Sequence, residues 1–126
     1  MIPLTTMLML TIILSAIGTQ AQEQQQLLQL GQEVYENHCS DCHRSNGEGL
    51  PVKFPALKGN AFVLGDPKPV LDTVIHGRTG KLGQMPAWKE FLDNNQIAAV
   101  VSYIRNAWGN KAPTLRPEDV APRRKN

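Results

Sequence analysis

The five residues Cys39-Ser40-Asp41-Cys42-His43 hold both cysteines of the 126-residue chain and one of its three histidines. Each of these side chains is reactive, and each demands a partner, so this stretch constrains the fold more than any other. A structural zinc site needs four ligands, usually as two well-separated pairs, and the other histidines, His38 and His76, form no second pair. A thioredoxin-like dithiol uses the same C-x-x-C spacing, but its first cysteine opens a helix in a βαβ setting. Here an amphipathic helix, with no strand, precedes Cys39. Two ordinary cysteines of an exported protein would leave the adjacent histidine unexplained.

The reading that uses all three side chains is the covalent haem-attachment motif C-x-x-C-H. One helical turn separates the thiols, so each can form a thioether with one of two neighbouring vinyl groups. His43 then faces the iron as proximal ligand. The N-terminus agrees with attachment outside the cytoplasm. Residues 1 to 22 carry no Asp, Glu, Lys or Arg, and an apolar run from Leu4 to Ile17 leads to Gly18-Thr19-Gln20-Ala21. Small residues at Thr19 and Ala21 fit cleavage of a secretory signal after Ala21, although the n-region lacks its usual Lys or Arg. The run is shorter than the roughly 18 to 20 residues of a bilayer-spanning helix and is interrupted by Thr and Ser. The expected organisation is therefore a signal over residues 1–21, a domain over 22–110 and an extended basic tail over 111–126. No stable membrane insertion is expected after cleavage.

Gln22 to Gln26 reads as a short flexible lead. Leu27, Leu30, Val34 and Tyr35 then recur at helical spacing, predicting a helix over 26–38. Gly and Pro from Gly47 to Pro67 predict irregular loop. Pro69 suits the first turn of a helix bearing Val70, Leu71, Val74 and Ile75, stopped by Gly77. Residues 77–92 return to loop. Asp93 and Gln96 form a capping box ahead of the stripe Ile97, Val100, Val101 and Ile104, with Gly109 as the stop. No strand pattern or internal repeat is visible, so the fold class is all-α, with three or four short helices. Loops this long in so small a domain need something to hold them down, and a disulfide between residues three apart closes too small a loop to do so. A cofactor filling the core supplies the missing mass. The net charge of +2 comes with a basic excess concentrated near the C-terminus, which does not describe a nucleic-acid binder.

On the segments GQEVYENHCSDCHRSNGEGLP, FPALKGN, VIHGRTGKLGQMPAW and NNQIAAVVSYIRNAWGN, the chain resembles the class I monohaem c-type cytochromes over roughly residues 27 to 109. The last block, with PEDV beyond it, is most similar to cytochrome subunits or fused domains of periplasmic dehydrogenases, nitrite reductases and terminal oxidases. The resemblance implies a cytochrome c fold, helices and long loops wrapped round one covalent haem c. It also implies that Pro55 offers its carbonyl to the proximal histidine, a contact that orients the ligand. Leu57 is then expected to pack on the haem, and Gly31, Tyr35 and Tyr103 to mark the crossing of the first and last helices. Trp88 is either pocket wall or a surface-loop tryptophan, and Trp108 packs at the helix end.

The sixth iron position decides the chemistry, since a saturated iron transfers electrons and an open one binds or activates small ligands. With Met1, Met7 and Met9 inside the leader, Met85 in GQMPAW is the methionine left to the mature domain. An isolated methionine is usually a core filler. Beside C-x-x-C-H and followed by proline, Met85 reads as the second ligand. His76 is its rival, or else a helix-end residue beside the last carbonyls. The expected function is one-electron transfer between periplasmic redox proteins, without catalytic residues. Lys53, Lys58, Arg78, Lys81 and Lys89 would form a basic rim for acidic partners. The alternatives are a dedicated subunit of a dehydrogenase or reductase complex and a ligand-binding or peroxidase-type haem protein.

Overall fold

The structure, a computed structural model, describes residues 1–81 and 83–125, without the side chains of residues 8–14. The first helix, α1, runs unbroken over Leu4–His38. The expected flexible lead, Gln22 to Gln26, lies within it: glutamine is a good helix former, and neither Gly nor Pro interrupts the run into Leu27. All residues from Ser15 to Gln26 are exposed, and contact with the body begins at half-buried Leu27. The expected stripe then engages, with Gly31, Val34 and Tyr35 buried.

A one-residue break at Cys39 (φ −117°) separates α1 from α2, Ser40–His43. Arg44, at φ 67°, ends α2 and throws the chain into the Gly-Pro segment. That segment is more ordered than expected. It contains an isolated bridge between Leu50 and Phe54 and a one-turn helix α3, Ala61–Leu64, capped by the Asn60 side chain. Helix α4 spans Pro67–His76 and buries Val70, Leu71, Val74 and Ile75 as expected. Its cap is Asp66, which places Pro67 at the start of the helix, where a missing N–H costs nothing.

The expectation of an all-α fold fails at one place. Arg78–Gly80 and Gly83–Met85 form an antiparallel hairpin, β1 and β2, pairing Arg78 with Met85, Thr79 with Gln84 and Gly80 with Gly83. Strands this short carry no alternation to read, and the glycines that predicted loop are the residues flanking a tight hairpin. Helix α5, Asn94–Ile104, begins with the expected box: Asp93 accepts from the Gln96 N–H at 2.8 Å, and the Gln96 side chain accepts from the Asp93 N–H at 2.9 Å. It ends at Ile104 with Arg105 as its C-cap, short of the expected stop at Gly109.

Residues 113–125, expected as an extended surface tail, fold back on the domain. They form α6, Pro117–Val120, and a 3₁₀ turn over Ala121–Lys125, with Leu115 and Val120 buried in the main core. Two apolar residues among the prolines and charges suffice to pin the segment. Helices α1 and α5 cross at the centre, and α4 and α6 complete a core built on Val34, Tyr35, Leu71, Ile75, Ile97, Val101 and Val120.

Candidate haem site

The motif sits where α1 gives way to α2. Cys39 caps the long helix, its N–H bonding the Tyr35 carbonyl at 2.9 Å, and the single turn of α2 brings Cys42 and His43 round. Neither cysteine is in a disulfide. Cys39 is half-buried, and that burial, followed by the neighbouring Cys42, pushes its pKa up to about 12. A dithiol redox catalyst needs the opposite shift, toward an exposed thiolate. The half-burial of Cys39 does not suit it to that role.

His43 is buried, only 8% exposed. Its Nδ1 lies 3.0 Å from the carbonyl oxygen of Pro55. A carbonyl can only accept, so Nδ1 carries the proton and the Nε2 lone pair is left for a metal. The loop that brings Pro55 round is closed on the motif itself: Gly49 N–H bonds the His43 carbonyl at 2.9 Å, and Leu57 N–H bonds the Gly47 carbonyl at 2.8 Å. Tyr35 donates its hydroxyl to the Arg44 carbonyl at 2.6 Å, fixing the turn from below. Burial drives the Tyr35 hydroxyl well above its ordinary pKa, so it remains a donor.

Leu57, Met85 and Trp88, like Cys39, are partly buried and packed against the same core. The Trp88 ring stands 5.2 Å from that of His38, which is exposed as expected. Trp108 packs where the helix-end reading put it, 5.1 Å from the Tyr35 ring, with its indole N–H on the Ser45 carbonyl at 2.8 Å. His76, read as a helix-end residue or rival ligand, is the last residue of α4. Its ring, however, reaches past the helix, and Nε2 donates to the carbonyl of Arg123 in the C-terminal turn at 2.8 Å.

Three staples escaped the sequence reading. Asn110 is buried and accepts from Gly59 N–H at 2.8 Å while donating to the carbonyls of Leu57 and Ile104. Arg105, 2% exposed, donates to the carbonyls of Val63, Gly65 and Pro113. Arg123 and Arg124 tie the tail to α4 and to the segment after Met85. The long loops are thus held by side chains as well as by any cofactor. Many of the partners lie between 32 and 53 positions apart, beyond the reach of local patterns.

The donor set fits a haem. Two cysteines outside any disulfide precede an imidazole whose tautomer is fixed, and apolar Leu50, Val52 and Phe62 are exposed on the chain that follows. Apolar side chains uncovered beside polar anchors suit a flat hydrophobic ligand.

Helices, loops and motif together define a cytochrome c domain. Residues 26–104 match the family described as cytochrome c oxidase, cbb3-type, subunit III, and the chain belongs to that family of class I c-type cytochromes. It is 36% identical over 99 residues to an alcohol dehydrogenase (quinone) cytochrome c subunit of Gluconacetobacter polyoxogenes, covering 71% of this chain and 21% of that protein. It is 35% identical over 108 residues to the gluconate 2-dehydrogenase cytochrome c subunit of Pantoea cypripedii, covering 78% and 24%. A cbb3-type cytochrome c oxidase subunit CcoP of Azospirillum brasilense is 34% identical over 87 residues, covering 64% and 28%. The chain therefore spans between about a fifth and a third of the curated relatives it matches. The cofactor is covalent haem c, and a domain of this size accommodates one.

Proposed function

We propose that the domain carries one electron at a time through a haem attached at Cys39 and Cys42, with His43 and Met85 as axial ligands. When bound, the haem supplies a one-electron couple. The protein's own residues hold and orient it and exclude water. The observation that carries the reading is the His43–Pro55 hydrogen bond, which leaves Nε2 as a metal donor beside two cysteines outside any disulfide. His76 has Nε2 engaged on the tail, which favours Met85 as the second ligand. Leu57 and Trp88 are assigned to the pocket wall on their partial burial against the same core as Met85. No acid, base or nucleophile is required, so the domain is read as a carrier and not as an enzyme in itself.

We further propose export to the bacterial periplasm with residues 1–21 as leader. The partners are redox proteins that meet the exposed Lys53, Lys58, Arg78, Lys81 and Lys89. A second reading, a dedicated subunit of a dehydrogenase or oxidase complex, is favoured by the names of the relatives. Copurification of a larger redox enzyme from the native host separates it from a free shuttle.

The decisive measurement is spectroscopic. The oxidised protein should show the weak red-edge band of sulfur-to-iron charge transfer, the reduced protein should bind carbon monoxide poorly, and Met85→Ala should abolish the band. Strong carbon monoxide binding at neutral pH would instead establish the ligand-binding reading.

A further inference from the structure

The C-terminal turn over Ala121–Lys125 buries none of its residues, so polar ties hold it to the body. Among the described residues those ties converge on the two flanks of the segment that carries Met85. On one flank, Arg123 lays a two-pronged guanidinium on both carboxylate oxygens of Asp72 in α4, and its carbonyl accepts from His76 Nε2 at 2.8 Å. On the other, Arg124 donates to the carbonyls of Lys89, at 2.7 Å, and Leu92, and to the side-chain oxygen of Asn94.

The Met85 segment is itself seated on the end of α4. The last carbonyls of a helix have no intrahelical partner. Here the carbonyls of Val74 and Ile75 accept from the N–H groups of Trp88, at 3.0 Å, and Lys89, at 3.2 Å. Gly77 allows the crossing: its φ is +75°, and a Cβ there would stand 2.6 Å from the Met85 carbonyl oxygen. The segment is thus laid against α4 from inside and gripped by Arg124 from outside. Upstream, Val120 sits in the core and Leu115 N–H bonds the Ser102 hydroxyl at 2.8 Å, so the tail has a fixed anchor point.

We infer that residues 117–125 form a clasp that keeps the Met85 segment closed, with Arg123 and Arg124 as positioning residues for the thioether. The inference rests on the reading of Met85 as axial ligand. It concerns how far the iron's sixth position is defended: an external ligand binds only when Met85 leaves, so its apparent affinity scales with the fraction of open segment. A guanidinium fork on paired acceptors is pre-organised, which suits it to holding a loop in one position.

The experiment uses the oxidised holoprotein and imidazole as the competing ligand. The Arg123→Ala/Arg124→Ala double variant should bind imidazole about tenfold more tightly than wild type and show a weaker sulfur-to-iron band well below its melting temperature. Arg123→Lys, which keeps the charge and loses the fork, should fall between. Should the double variant fail to fold, Arg124→Lys alone should tighten imidazole binding severalfold, and an unchanged affinity there counts against the clasp. Arg105→Lys is the comparison, since it weakens ties to Val63, Gly65 and Pro113 instead. It should lower the melting temperature without changing imidazole affinity, and an equal gain in affinity would overturn the clasp as mere general loosening. A wild-type protein without the charge-transfer band defeats the Met85 reading and the clasp with it. A wild type with the band and a double variant of unchanged affinity defeats the clasp alone.

Discussion

The backbone of Gly31 lies against the carbonyl of Ala99 so closely that a Cβ at Gly31 would stand 2.1 Å from that oxygen and 2.7 Å from Cβ of Tyr103. This is the crossing of α1 and α5, and neither helix can retreat without opening the core round Tyr35 and Ile97. Overpacking a tight core generally costs about 1 to 3 kcal/mol. Gly31→Ala meets backbone instead of a flexible side chain, so the loss should reach about 3 kcal/mol, at the top of that range. Denaturant unfolding of the holoprotein measures it, and a loss below about 1 kcal/mol would mean that the crossing is looser than described.

Arg105 is charged and buried, and its burial lowers its pKa only from a very high starting value. Its role is to satisfy the carbonyls of Val63, Gly65 and Pro113. Arg105→Leu would leave those acceptors unpaired. A buried acceptor without a donor costs about 1 to 3 kcal/mol, so the variant should lose about 3 kcal/mol or more. The midpoint of chemical denaturation is the readout, and a neutral result would show that water replaces the guanidinium.

Hydrogen bonding to Arg123 holds the Asp72 carboxyl below the ordinary carboxylate range, with the charges of Arg123 and His76 acting in the same direction and partial burial opposing them. A depressed folded-state pKa means a contribution present above the unfolded value of about 3.9 and lost as pH falls through the lower folded value. The melting temperature of wild type should therefore exceed that of Asp72→Asn near neutrality. The gap should close as the solution is acidified from about pH 5 to about pH 2. A gap independent of pH would show that the ion pair contributes nothing. The pair is partly exposed, so added salt should shrink the gap as well.

Cys39 and Cys42 stand one turn apart with neither in a disulfide. Each single Cys→Ser variant should keep its haem through acid-acetone extraction by the remaining thioether, and the double variant should lose it. Intact-protein mass spectrometry after extraction distinguishes the outcomes. Loss of colour from wild type would remove the covalent link from the account.

Lys53, Lys58, Arg78, Lys81 and Lys89 are exposed, although Lys58 shares its charge with Glu48 at 3.5 Å and Arg78 lies over the Phe62 ring. Reduction by an acidic redox protein should slow as ionic strength rises from about 0.01 to about 0.15 M, where the screening length falls to about 8 Å. Stopped-flow rates indifferent to salt would rule out a basic docking rim.

What could be read from the sequence was the local part. The periodicity of α4 and α5, the Asp93–Gln96 box and the C-x-x-C-H turn are written within a few residues of one another, and the structure keeps each of them. Gly31 was reached through the resemblance as the crossing with Tyr103, and it lies against Tyr103 and also against Ala99, which the resemblance did not name. The tail was misread because Leu115 and Val120 are isolated among prolines and charges, while the residues that receive Arg123 and Arg124 lie some 30 to 50 positions upstream. The hairpin that ends at Met85 was missed because three-residue strands leave no alternation to detect. Buried polar staples such as Asn110 carry no local signature at all, since their acceptors are backbone atoms that any residue supplies.

The long first helix has a consequence for maturation. Contact with the domain begins at Leu27, and the turns spanning residues 15 to 26 face solvent throughout. Among the described residues, those on either side of a cut after Ala21 are exposed, so such a cut would leave the core contacts made from Leu27 onward in place. On the proposed reading of residues 1–21 as a leader, the melting temperature of the domain should be the same with and without them.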